Sequence, residues 1–150
     1  MNVILDTNIL VSALKKISIG DPAKIVNLWA SKAFTLFYSP DIYDEYLEVL
    51  TRPEIKIPPK LMMEILHRLT TTGIEIDPPT SRIDMAHAAD RKFYDVAVAA
   101  DAFLITGNTT HYPPELFILA PNRFLEAYDI CCRDHLSRRQ FLELYARQER

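Results

Sequence analysis

Two rhythms of hydrophobic and polar positions alternate along the chain. NVIL at 2–5, FTLFYS at 34–39, AFLITG at 102–107 and LFILA at 116–120 are short, nearly continuous apolar runs. Runs of that length are the mark of strands covered on both faces. IEI at 74–76 is a shorter strand of the same kind.

Between these runs the apolar positions recur with helical spacing. Asp6-Thr7-Asn8 offers three N-cap residue types ahead of ILVSAL, giving strand, turn and helix in succession. DPAKIVNLWASKA, with Pro22 at a first helical position, predicts a second helix. IYDEYLEVL predicts a third that ends at Arg52-Pro53, and PPKLMMEILHRLTTTG a fourth closed by Gly73 as C-cap. RKFYDVAVAA, PNRFLEAYD and HLSRRQFLELYARQ complete the helices, whereas DPPTSRIDMAHAA carries neither rhythm. Strands that alternate with helices predict an α/β protein, a three-layer α/β/α sandwich around a central parallel sheet.

At 150 residues the chain has the length of one domain, and no linker, internal repeat or low-complexity tract divides it. Its 49% hydrophobic and 25% charged residues are ordinary globular values. The apolar runs are too short to cross a membrane and no basic-then-apolar leader opens the sequence, so a soluble, cytoplasmic protein is expected. Adjacent Cys131 and Cys132 are poorly placed for a structural disulfide and fit a reducing compartment. With His135 they match no zinc-finger spacing, and packing is the better reading of them. The net charge is −3, but five arginines against three acids make residues 133–150 +2 and leave the rest −5. An acidic body with a basic tail is the result.

Glycines occur only at 20, 73 and 107, so neither a dinucleotide-binding nor a P-loop motif can be written. In parallel sheets, ligands bind beyond the carboxyl ends of the strands, where the strand order reverses. Asp6 ends VILD and Asn108 ends FLITGN, which brings both to one rim if these strands are neighbours. Asp6 alone reads as a helix cap as readily as a ligand, and Asn108 alone as a turn residue.

Helical angles sort the remaining acids. Ile42, Tyr43, Tyr46, Leu47 and Leu50 form one face with Glu45 at its edge, while Asp44 and Glu48 point to solvent. Phe93, Val96, Ala97 and Ala100 define the buried face of the next candidate helix; Asp90 precedes it on that side, and Asp95 falls opposite, toward solvent. Carboxylates forced together repel unless a cation compensates them, and oxygen donors suit Mg²⁺ or Mn²⁺. Metal-assisted phosphodiester hydrolysis is the reaction class that follows.

VILDTNILVSAL, YSPDIYDEYLEVLTRP and DRKFYDVAVAADAFLITGNTTHYP, in this order and spacing, resemble the PIN-domain nucleases. Within them they resemble the toxins of bacterial and archaeal toxin–antitoxin systems. The resemblance spans about residues 2–128, which sets a PIN domain over 1–129 and a helical extension over 130–150. It implies a Rossmann-like sandwich whose acidic cluster binds Mg²⁺ or Mn²⁺ for endonucleolytic cleavage of RNA. Carried over by motif, Asp6, Glu45 and Asp90 are the metal ligands, and Asn108 stands where many members have a fourth aspartate. Asn8 would hold Asp6, Thr106 would orient water or phosphate, and His111 would lie near the substrate or pack a turn. DMAHAAD lacks the Asp-Pro turn that often introduces the third carboxylate. A cognate antitoxin and a homodimer are the implied partners. The arginines of the extension would grip RNA, or its apolar residues Leu136, Phe141, Leu144 and Tyr145 would dock a partner or their own domain.

Two other classes compete. One is a binding module on the same fold that cleaves poorly, motivated by Asn108. The other is a phosphotransfer fold, disfavoured because LDTN is neither an acidic pair nor Asp-x-Asp, and no lysine follows FLITG or LFILA.

Overall fold

The computed structural model of the chain describes residues 1–15 and 19–148. Glu149 and Arg150, counted above in the basic tail, lie outside the described residues. Five strands, β1 (Asn2–Leu5), β2 (Thr35–Tyr38), β3 (Ile74–Glu75), β4 (Phe103–Ile105) and β5 (Ile118–Leu119), form one sheet. Among the described residues seven α-helices surround it: α1 (Thr7–Lys15), α2 (Asp21–Ala30), α3 (Pro40–Leu50), α4 (Pro59–Thr72), α5 (Arg91–Ala99), α6 (Pro121–Asp134) and α7 (Arg138–Gln148).

Every strand pair is parallel, in the order β3-β2-β1-β4-β5. The chain builds outward from β1 to β3, then crosses back to lay β4 on the other side of β1. The strand order therefore reverses between β1 and β4, where Leu5 pairs with Ile105. Val3, Ile4, Leu5, Phe103, Leu104 and Ile105 are fully buried, as strands covered on both faces must be. Helix α5 lies across β1, β2 and β4, and α6 packs on β4 and β5 with α2 beside it. The α/β/α expectation thus holds in class, strand identity and direction.

Local chemistry fixes several boundaries. Ser39 caps α3 by accepting the Ile42 N–H at 3.2 Å, with Pro40 as the next residue. Gly73 closes α4 as the C-cap, in extended backbone (φ −81°, ψ 168°). A Cβ there would stand 2.5 Å from the Leu69 carbonyl and 3.0 Å from that of Leu36. Glycine is needed for close approach of the α4 end to β2.

The C-terminal segment is built onto the same core. Helix α6 runs without interruption through 129–130, and Phe141 of α7 is buried with its ring 5.9 Å from that of Phe103. Cys131 packs in the core while Cys132 is exposed, and both thiols are free. Leu47, placed by periodicity on the buried face of α3, is instead 39% exposed, because that face narrows to Ile42, Tyr46 and Leu50. No described helix is long and apolar enough to cross a membrane.

Candidate active site

Asp6 follows β1 directly, and its N–H donates to the Ile105 carbonyl at 2.9 Å, extending the β1–β4 ladder by one bond. Its side chain therefore emerges at the reversal point beside Thr106, the residue after β4. Thr106 Oγ1 donates to Asp6 Oδ2 at 2.8 Å, and Tyr112 Oη donates to the same oxygen at 2.9 Å. These hydroxyls leave Oδ1 as the oxygen they do not hold. Asp6 is 6% exposed. Burial raises its pKa above the ordinary carboxylate range against the lowering effect of the Thr106 and Tyr112 bonds, and the charges of Asp90 and Glu45 push it further up.

Glu45 arrives from α3. Next to it, Tyr46 is fully buried and donates its hydroxyl to the Leu5 carbonyl, which ties α3 to the end of β1. Glu45 Oε2 accepts from Thr7 Oγ1 in the first turn of α1, and Lys92 Nζ stands 2.8 Å from Oε1. Asp90 occupies the N-cap position of α5 but makes no side-chain cap hydrogen bond, which leaves its carboxylate free for other partners. Its Oδ2 lies 3.3 Å from His111 Nδ1, and the His111 ring is 3.9 Å from that of His87. Asn108 lies on the exposed turn that starts the short 3-10 segment Thr109–His111, with its backbone N–H on Thr106 Oγ1 at 3.0 Å.

Three of the sequence candidates, Asp6, Glu45 and Asp90, thus share one electrostatic neighbourhood. Asn108 borders it through its backbone. Burial, with the Asp6, Asp90 and Glu45 charges beside it, likewise pushes the Tyr112 phenol far above its usual range.

Several expectations need correction. Asp95, expected to face solvent, is 9% exposed, because the 76–87 segment lies over that side of α5; the Ser81 N–H donates to its Oδ2 at 3.1 Å. Periodicity cannot see a loop that folds back over a helix. Asn8 does not hold Asp6; its Oδ1 accepts the Gly107 N–H at 3.0 Å and so braces the turn after β4. Thr106 is fully buried and serves the Asp6 carboxylate, not a water or phosphate. His111 faces Asp90. Tyr112 and Lys92 were missed altogether, since neither a tyrosine before Pro113 nor a lysine in DRKFY carries a local signal of its long-range partner. Arg91 donates to the carbonyls of Ser81 and Ile83 and so fastens the 76–87 segment.

Beside Lys92 opens a cleft of about 240 Å³ bordered by Ser39, Asp41, Asp77, Thr80 and Arg91. Among the described residues, no group of three or more His, Cys, Asp or Glu side chains stands close enough together to hold a metal ion. The donors nevertheless have the chemistry of a hard-cation site. They are carboxylate oxygens, mutually repelling, with one buried at the rim of a parallel sheet.

Fold and site together define an α/β/α protein with a buried aspartate, neighboured by two further carboxylates, at the reversal point of its sheet. The family model for the PIN domain matches residues 2–110, and the chain belongs to that family. PIN domains are as a rule nucleases that use divalent metal ions, so the fold is a nuclease fold. The match runs from β1 past β4; Tyr112, β5, α6 and α7 lie beyond it. No curated protein and no solved structure matches the chain significantly.

Proposed function

We propose that this protein is a Mg²⁺- or Mn²⁺-dependent endoribonuclease, and that it acts as the toxin of a toxin–antitoxin pair. The observation that carries the reading is Asp6: a carboxylate buried at the β1–β4 reversal point, held on one oxygen by Thr106 and Tyr112, and raised in pKa by burial and by Asp90 and Glu45. Buried like charges at a ligand-binding rim are an expense that a bound cation offsets.

On this reading Asp6, Glu45 and Asp90 would hold the ion, with Asn108 bordering the site through its backbone bond to Thr106. The ion supplies a water of lowered pKa and stabilises the charge that develops on the phosphodiester. Thr106 and Tyr112 hold Asp6 through Oδ2, which leaves Oδ1 for the ion. Glu45 and Asp90 contribute by releasing Lys92 and His111, which they hold in this structure. A cognate antitoxin that covers the crevice and a homodimeric assembly belong to the same proposal; they rest on the motif resemblance stated above.

Cleavage of a mixed-sequence single-stranded RNA with Mn²⁺, Mg²⁺ or EDTA tests the reading, alongside Asp6→Asn and Asp90→Asn. Metal-dependent cuts absent from both variants are expected. The second reading, a binding module of the same fold, is favoured by Asn108 and by the ungathered carboxylates. It predicts RNA retention without cleavage, unaffected by Asp6→Asn.

A further inference from the structure

The cleft beside α5 gathers negative charge that the chain itself does not match. Asp41 of α3, Asp77 after β3 and Asp95 of α5 line its 240 Å³. None of the three forms an ion pair among the described residues. Two cations border the same space, but Lys92 is matched by Glu45 at 2.8 Å. Arg91 directs its Nη1 to the carbonyls of Ser81 and Ile83 and to the Ser81 hydroxyl. The lining thus holds three carboxylates against the one unpaired charge of Arg91. Asp95 adds an independent observation. It is 9% exposed; its Oδ2 accepts the Ser81 N–H at 3.1 Å, whereas its Oδ1 is buried with no hydrogen-bond partner. A buried carboxylate oxygen without a donor costs stability, and such orphans are few in folded proteins. What the cleft lacks is a donor that carries positive charge.

The placement of the acids narrows the choice. They come from three separate elements and form no group able to hold a metal ion, and their charge repels phosphate. A guanidinium meets both conditions: it is a planar cation whose five N–H donors reach several separated acceptors at once, where an ammonium is a point charge. We infer that the cleft is a binding site for a guanidinium group, with Asp95 Oδ1 accepting one of its N–H bonds and the exposed Asp41 and Asp77 meeting its remaining donors. Asp6, Glu45 and Asp90 are not among the residues that line the cleft, so the inference does not depend on the nuclease reading. The group is borne by a free small amine or by an arginine side chain of a polypeptide; the recognition chemistry is the same.

Calorimetric titration of the full chain in EDTA tests this. The ligands are agmatine as a free guanidinium, the capped tripeptide acetyl-Gly-Arg-Gly-amide as a peptide-borne one, and putrescine, which has an ammonium where agmatine has its guanidinium. Agmatine or the tripeptide is expected to bind about tenfold more tightly than putrescine, because a fork of donors replaces a point charge. The tighter of the two names the source, free or peptide-borne. Asp95→Asn is expected to weaken that binding about tenfold, and Asp77→Asn by a smaller factor. Asp44→Asn, which removes the same charge from α3 outside the cleft, should leave it unchanged. Circular dichroism confirms folding, and Asp77→Asn carries the test if Asp95→Asn does not fold. Three results overturn the inference: no binding of either guanidinium at millimolar concentration, putrescine binding as tightly as agmatine, or an affinity that the cleft variants lower no more than Asp44→Asn does.

Discussion

The acidic crevice and the basic C-terminal segment carry charge in opposite senses and in opposite states of balance. In the C-terminal segment three of the four described arginines have a carboxylate at hand: Arg133 with Asp134, Arg138 with Asp101, and Arg139 with Glu143. Arg138 also lies over the Phe117 ring at 4.7 Å. In the crevice, Asp6, Glu45 and Asp90 face one ammonium, Lys92, and one imidazole, His111. A surplus of charge in the sequence is therefore a poor guide to function. What distinguishes the acidic site is that Asp6 is buried where the sheet reverses, with the half-buried Glu45 and Asp90 adding like charge beside it.

The sharpest way to break that contrast is Asp6→Asn. RNA cleavage is expected to fall on the order of 10³-fold or more, about 4 kcal/mol of transition-state stabilisation. Fold stability should move the other way. The raised pKa of Asp6 means that the folded state holds its proton more tightly than the unfolded chain does, so the ionised carboxylate costs stability at neutral pH. That cost disappears as pH falls through the folded pKa toward the unfolded value. In EDTA at pH 7, Asp6→Asn is thus expected to melt no lower than the wild type; a clear drop in Tm would mean that the Asp6 bonds serve the fold first.

The C-terminal segment gives the opposite result when its apolar side is cut. Phe141 is 5% exposed and packs against both Phe103 and Tyr145. Phe141→Ala is expected to cost about 3 kcal/mol in denaturant unfolding, from lost burial and the cavity left behind. Metal dependence of cleavage in the surviving folded fraction should stay as it was. An unchanged unfolding midpoint would detach the segment from the core.

The sheet was readable because fully buried parallel strands write themselves as continuous apolar runs, and NVIL and AFLITG do so without ambiguity. The rim position of Asp6 followed from the same runs. What periodicity could not supply is whatever depends on a contact between distant segments. Tyr112 reaches Asp6 across 106 positions and Lys92 reaches Glu45 from a different helix, and neither pair leaves a local pattern. Asp95 failed for the same reason in reverse: its helix face was exposed by the arithmetic of 100° per residue, and the 76–87 segment covers it.

Tyr112→Phe sharpens the crevice side at smaller cost. It removes one of two hydroxyls from Asp6 Oδ2 and leaves the ring in place. Groups that orient a ligand from behind are worth about 10-fold or more in metal affinity or activity. Because that bond lowers the Asp6 pKa, its loss raises the pKa further. Asp6 must be ionised to hold a cation, so the acidic limb of the cleavage–pH profile is expected to move to higher pH. A limb that stays in place would assign it to another group.

The smallest effect is expected from the double variant Arg133→Ala, Arg139→Ala, and its smallness is informative. Both guanidiniums are exposed and held by carboxylates of α6 and α7 themselves, at 3.0 and 2.9 Å. Exposed pairs of this kind contribute little to stability, so the Tm should hardly change. A phosphate grip would show elsewhere: each contact to a single strand adds about 0.7 to the slope of log affinity against log salt. Losing two such contacts would flatten the slope by about 1.4. The paired geometry predicts an unchanged slope, measured as RNA affinity of the EDTA-treated protein between low and moderate salt. A flattened slope would make the C-terminal segment part of the RNA surface and would end the contrast between a balanced segment and an unbalanced crevice.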